Sequence, residues 1–168
     1  MKNIAVLASG RGSNLEAIIK NIENGTCHAN LACVISDNKD ARALQIARDH
    51  GVKAIWLDPG PKKTWLAFKG RILNIHPALL PSFPGLDVQR KAIEYGVKFS
   101  GCTVHFVTED VDAGAIITQA AVPVLDDDTP DTLAARILKE EHRIYTEAIN
   151  IILSGKYRIE GRRVIKTG

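Results

Sequence analysis

An apolar run at residues 71–75 leads into Asn74-Ile75-His76-Pro77, and strand alternation puts Asn74 and His76 on one face with Ile75 turned away. An amide donor and an imidazole then converge on one reacting carbonyl. An imidazole near neutral pH takes a proton from an attacking amine and returns it to a leaving nitrogen, while the amide donates to a developing oxyanion. The pair suits acyl transfer. A lone histidine is by default structural, and what lifts this one above that default is an acidic turn at residues 105–114. Asp112 beside His76 would stabilise the imidazolium and fix its tautomer. His105 is the alternative second base, and merely solvated carboxylates at Glu109, Asp110 and Asp112 are the third possibility.

A second constellation is Ser9-Gly10-Arg11-Gly12-Ser13-Asn14, set between an apolar run and a helical pattern. Glycines let backbone approach an anion, and a helix N-terminus presents unpaired amides and the positive end of its dipole. In physical terms this is a phosphate site at Arg11, Gly12, Ser13 and Asn14. No Lys-Ser/Thr follows, so it is not a P-loop, and the third glycine of the dinucleotide fingerprint is missing. Asp37 keeps a nicotinamide-nucleotide alternative open through a ribose hydroxyl, and a plain tight turn is the simplest alternative. The five histidines lack metal-ligand spacing, so no metal is expected. Ser13, Ser82 and Cys102 lack a nucleophile elbow, so no covalent intermediate is required.

These groups need elements to hold them. Residues 4–8 form a continuous apolar run of the kind buried on both faces, predicting a central strand. Leu15, Ile18, Ile19 and Ile22 recur at helical spacing until Asn24-Gly25. Strand 31–35, helix 41–50 and strand 52–57 repeat the alternation, which predicts a Rossmann-like half with parallel strands. The rhythm breaks after Asp58, because residues 62–70 are too few for a helix and a strand. A proline-rich loop at 77–85, a helix at 87–95 and strands at 103–107 and 115–119 follow. Thr129 or Asp131 caps a long helix to about Leu153, with Leu133, Ile137, His142, Tyr145, Ile149 and Ile152 along one side. A hairpin around Glu160-Gly161 ends the pattern.

Composition narrows the partners. The chain's 168 residues, 45% hydrophobic and 24% charged, predict one globular domain, and a net charge of +3 is too small for a nucleic-acid footprint. Arg162, Arg163 and Lys166 read as a solvated tail. Cys27, Cys33 and Cys102 form no CxxC pair and read as free thiols of a cytoplasmic protein, with no signal or membrane-spanning run. Small-molecule ligands, and neither nucleic acid nor membrane, are expected.

The segments at residues 10–15, 71–85 and 105–114 resemble the three signatures of phosphoribosylglycinamide formyltransferases, and the N-x-H-P-x-L-L-P loop is specific to enzymes using 10-formyltetrahydrofolate. The resemblance covers nearly the whole chain. It implies an α/β, Rossmann-like three-layer sandwich with a mostly parallel central sheet, as one formyltransferase domain over 1–168. Residues 1–68 would be its phosphate-binding half, and 69–168 its catalytic and folate-binding half. It further implies formyl transfer from 10-formyltetrahydrofolate to glycinamide ribonucleotide in purine biosynthesis, by a monomer or homodimer. Asn74, His76 and Asp112 match the family's catalytic trio, and Arg11 to Asn14 its ribose-phosphate loop. Glu141 matches a carboxylate near the substrate amine. Asn74, Val107, Asp110 and Val111 match the folate contacts.

One departure is large. Between Phe68 and Lys69 the family has a further helix, a buried strand and the start of another helix, a unit of roughly thirty residues. That strand lines the folate pocket, and no residue here takes its role. A segment dropped from the sequence as read is preferred over a deletion or an aberrant gene product. Loss of a central strand would expose strand edges and damage the core, so the expected alternative is an impaired phosphometabolite-binding module. Relatives that formylate methionyl-tRNA or sugar amines are a further alternative, as is a formyltetrahydrofolate hydrolase, the tRNA enzyme being expected to carry a C-terminal domain and the hydrolase an N-terminal one.

Overall fold

The computed structural model describes residues 1–58 and 68–168, and the chain divides into two compact units, Met1–Ala67 and Phe68–Gly168. The break in rhythm read at residues 58–70 falls largely on 59–67, outside the described residues.

In the first unit, β1 (Lys2–Leu7), β2 (Ala29–Ser36) and β3 (Lys53–Trp56) form a parallel sheet in the order β1-β2-β3. Helix α1 (Ser13–Glu23) buries Leu15, Ile18 and Ile19, the spacing read from the sequence, and stops at Asn24, where Gly25 donates to the Ile22 carbonyl. Helix α2 (Arg42–Asp49) buries Ala43, Leu44, Ile46 and Ala47. The expectation for the first strand needs correction. Among the described residues β1 pairs with β2 alone, its residues are half-buried or exposed, and Leu7 is 70% exposed. An apolar run states a demand for cover on both faces, and here β2 holds the middle position.

The second unit is built on a mixed sheet in the order β4-β5-β6-β8-β7. Its strands are β4 (Leu73–His76), β5 (Phe99–Phe106), β6 (Ile116–Pro123), β7 (Tyr157–Glu160) and β8 (Arg163–Lys166). Every pairing is antiparallel except β6 with β8. The α/β class thus holds, with parallel pairing concentrated in the first unit. Helix α3 (Val88–Tyr95) follows the proline-rich loop, and β5 and β6 flank the acidic turn as expected.

Helix α4 (Pro130–Ser154) begins at Thr129, whose side chain accepts from the Thr132 amide in a reciprocal capping box. Its buried stripe runs through Leu133, Ile137, Glu141, Ile144 and Ala148, against Cys102, Val104, Ala120 and Val122 of β5 and β6. Of the expected stripe, Ile149 is buried and Tyr145 packs against the core, while Glu141, Ile144 and Ala148 take the centre of the buried side in place of His142 and Ile152, a small shift that the facing sheet chooses. The shift matters, because it turns Glu141 inward.

Candidate active site

The glycine loop comes first in the chain. Gly12 caps α1 with φ 79° and no side-chain cap, leaving the first-turn amides that every helix N-terminus presents. A side chain at position 12 would strike Ile46 and Ala43 of α2, so the glycine is needed for packing as well as for its left-handed backbone. Arg11 is exposed, while Ser13 and Asn14 are half-buried. Glu16 stands in the same first turn, and Arg42 pairs with it at 3.1 Å, offsetting a carboxylate that would oppose an anion.

The second group lies wholly in the Phe68–Gly168 unit. Strand β4 sets Asn74 opposite His105 and His76 opposite Thr103 on β5. Both histidines are buried, at 4% and 2% exposure for His76 and His105. Each has one ring nitrogen on a main-chain carbonyl: His76 Nε2 lies 2.8 Å from Phe83 O, and His105 Nδ1 lies 2.9 Å from Phe106 O. A carbonyl can only accept, so those two nitrogens carry hydrogen. The other nitrogen of each ring faces Asp112, with His76 Nδ1 3.4 Å from Oδ2 and His105 Nε2 3.5 Å from Oδ1. One carboxylate therefore stands between two imidazoles whose outer nitrogens are already committed, ready to stabilise a proton gained by either ring.

Local structure fixes that carboxylate. Asp112 has φ 51°, a left-handed conformation that aspartate tolerates better than most residues. Gly85 N–H donates to its Oδ2 at 2.9 Å, and Arg162 reaches its carbonyl at 3.5 Å. Arg162 is exposed, in keeping with the solvated reading of its cluster, and its own carbonyl accepts from the Ile116 amide. Gly114 presses against β5, where an added Cβ would fall on the Phe106 carbonyl oxygen, the acceptor for His105.

Asn74 Nδ2 lies 3.4 Å from His105 Nε2. The amide carries two hydrogens, and this contact uses one, leaving the other for a ligand oxygen. A cleft of about 330 Å³ is lined by Asn74, His105, Val107, Thr108, Glu109, Asp110, Val111 and Asp112. It brings together Asn74, Val107, Asp110, Val111 and Asp112, all singled out in the sequence. His76 is not among the lining residues and adjoins them at Asp112. Glu141 lies on α4, 9% exposed and outside that lining. Its carboxylate adds to burial in pushing the Cys102 thiol and the Tyr145 hydroxyl each up to about 12. Tyr145 in turn donates to Leu73 O, next to Asn74. Among the described residues no group of three or more His, Cys, Asp or Glu is placed to hold a metal, and no helix is long and apolar enough to cross a membrane.

The comparisons with known proteins agree with one another. A family model for formyl transferases matches residues 2–58 and 54–149. The phosphoribosylglycinamide formyltransferase of Haemophilus influenzae is 37% identical over 194 positions, which take in 95% of this chain and 91% of that protein. The chain belongs to the phosphoribosylglycinamide formyltransferase family. A solved family structure, glycinamide ribonucleotide transformylase 1 from Symbiobacterium toebii, is 47% identical with a TM-score of 0.95, covering 100% of this chain and 95% of that one. The trifunctional purine biosynthetic protein adenosine-3 of Drosophila melanogaster is 39% identical over 189 positions, 92% of this chain but 14% of that much longer protein. Both alignments with curated relatives run longer than this chain's 168 residues, so the relatives carry residues that this one lacks. The two pieces matched by the family model meet at 54–58, on the N-terminal side of the gap read at Phe68.

Several contacts in the second group escaped the sequence reading. The Phe83 carbonyl, the Gly85 amide, Thr103 and Gln119 all act through main-chain or cross-strand partners. Only register reveals these. For Thr103 a faint signal existed: it stands two residues before His105, hence on the same face of β5.

Proposed function

We propose that this chain transfers a formyl group from 10-formyltetrahydrofolate to the amine of glycinamide ribonucleotide in purine biosynthesis, as a single formyltransferase domain. The observation that carries this reading is the Asp112 carboxylate standing between His76 and His105 beside the Asn74 amide, at a cleft lined by residues 107–112. Membership of the family supports it.

The substrate amine attacks the formyl carbon, forming a carbon–nitrogen bond. Asn74 donates its second amide hydrogen to the oxygen that gains charge. His76 Nδ1 takes the proton released by the amine, since Nε2 already carries a hydrogen held by Phe83 O, and Asp112 stabilises the imidazolium. The same proton is returned to the folate nitrogen as its bond to the formyl carbon breaks. Val107, Asp110 and Val111 take the folate in this reading. The loop of Arg11, Gly12, Ser13 and Asn14 takes the ribose phosphate, and Glu141 serves the amine end of the substrate.

A second reading, a phosphometabolite-binding module without turnover, draws on the alignments that outrun the chain. Turnover of 10-formyltetrahydrofolate with glycinamide ribonucleotide by the purified 168-residue chain separates the two. Formylated product supports the enzyme. Calorimetric binding of the ribonucleotide with no product over the background rate sinks it in favour of the module.

A further inference from the structure

His76, Thr103 and Gln119 stand abreast on three adjacent strands, His76 opposite Thr103 and Thr103 opposite Gln119. The chain leaves β4 at His76, runs through residues 77–85, and returns a carbonyl, Phe83 O, to the same histidine's Nε2. The loop continues to Gly85, whose amide holds Asp112. His76 and Asp112 are therefore both positioned by one loop, and the loop must itself be held.

Its start is held by Thr103. The side chain is fully buried at 0% exposure, and its hydroxyl makes three contacts. It donates to Ala78 O at 2.7 Å and accepts from the Leu80 amide at 3.0 Å and from Gln119 Nε2 at 2.9 Å. Gln119 also donates to Leu80 O at 2.9 Å. Gln119 is exposed as a residue, yet both hydrogens of its amide point inward onto this knot instead of into water. Together the two side chains satisfy both polar groups of the Leu80 main chain and the carbonyl of Ala78. Loss of the hydroxyl leaves a buried amide unpaired, which the loop can relieve only by moving.

We infer that Thr103, backed by Gln119, is the positioning residue that sets the tautomer and placement of the His76 ring by clamping residues 78–80. It touches no substrate and acts through the loop. The inference rests on the reading of His76 as the proton carrier, but its central readout does not require turnover.

The test compares Thr103→Ser, Thr103→Val and Gln119→Leu with the wild-type chain. Nitrogen-15 NMR of the imidazoles reports which ring nitrogen of His76 carries hydrogen, His76→Ala assigning the signal. The Nε2–H form is expected in wild type and Thr103→Ser, with a mixture or exchange broadening in Thr103→Val and a weaker change in Gln119→Leu. Where the chain turns over, kcat should fall about tenfold or more in Thr103→Val with both KM values within about threefold, and Thr103→Ser should recover most of it. Should Thr103→Val fail to fold, Gln119→Leu carries the same comparison, with a fall of several-fold. An unchanged His76 signal in folded Thr103→Val or Gln119→Leu overturns the inference, as does a kcat loss that serine does not recover. Absence of turnover in wild type with the NMR pattern intact counts against the proposed function and supports the positioning role.

Discussion

The two units make their candidate sites in opposite ways. In Met1–Ala67 the candidate site is a stretch of consecutive residues, and the groups it offers are backbone amides at the start of α1. In Phe68–Gly168 it is assembled from β4, β5, the 77–85 loop and the 107–115 turn, and the groups it offers are side chains far apart in the chain, Asn74 and His76 against His105 and Asp112. A backbone site is tolerant of side-chain change but demands a particular φ. A side-chain site tolerates backbone variation nowhere, because a shift of about 1 Å misplaces the proton path.

The comparison breaks most sharply at the carboxylate. Asp112→Asn keeps a residue that accepts the left-handed conformation while removing the charge, so formyl transfer should fall by roughly 10²–10⁴, as it should for His76→Ala. Calorimetric affinity for glycinamide ribonucleotide, which the proposal assigns to the first unit's loop, should stay within a few-fold. Parallel loss of both would mean that the variants misfold and that the two sites are not separable.

Gly114→Ala comes next. The added methyl meets the Phe106 carbonyl, so the acidic turn must lift from β5 and carry Asp112 away from both histidines. Thermal unfolding should move down by an amount equivalent to about 1–3 kcal/mol, with turnover lost in the protein that remains folded. A folded, fully active Gly114→Ala chain would show that the turn does not place Asp112.

Gly12→Ala tests the other side. A left-handed residue with a Cβ costs about 1–2 kcal/mol, and the methyl also meets Ile46. Stability and ribonucleotide affinity should both drop, while kcat at saturating substrate stays near wild type. A change confined to kcat would contradict the assignment of this loop to binding.

The smallest effect is expected at a pair that belongs to neither candidate site, where Arg136 bonds to Asp128 at 2.6 Å and holds its carboxyl well below the usual carboxylate range. A depressed folded-state value stabilises the fold above the unfolded value, about 3.9, and that contribution is lost as pH falls through the folded one. Asp128→Asn should therefore lower the melting point modestly at pH 7, with the gap to wild type closing below about pH 4. A gap that widens in acid would reverse the sign of this account.

Much of this is legible in the sequence. The glycine loop, the alternation of Asn74 and His76, the Thr129 cap and the terminal hairpin depend on neighbours in the chain, and each was found where the pattern put it. Readings that required a partner element fared worse. The apolar run at β1 calls for a central strand, and among the described residues it lies at the end of its sheet. The α4 stripe keeps Leu133, Ile137, Tyr145 and Ile149 on its packed side, but Glu141, Ile144 and Ala148 stand at its centre where His142 and Ile152 were expected.

By itself, then, the sequence determined which residue types are present, how strands and helices alternate, and that an amide, two imidazoles and a carboxylate were available for acyl transfer. Tertiary structure alone decided that Asp112 stands between His76 and His105, that Phe83 O fixes the hydrogen on His76 Nε2, and that Glu141 faces inward. The physical reason is range. Helical and strand periodicity are set by backbone sterics over a few residues, whereas hydrogen-bond geometry depends on distances of a few tenths of an ångström between segments joined only by register and packing.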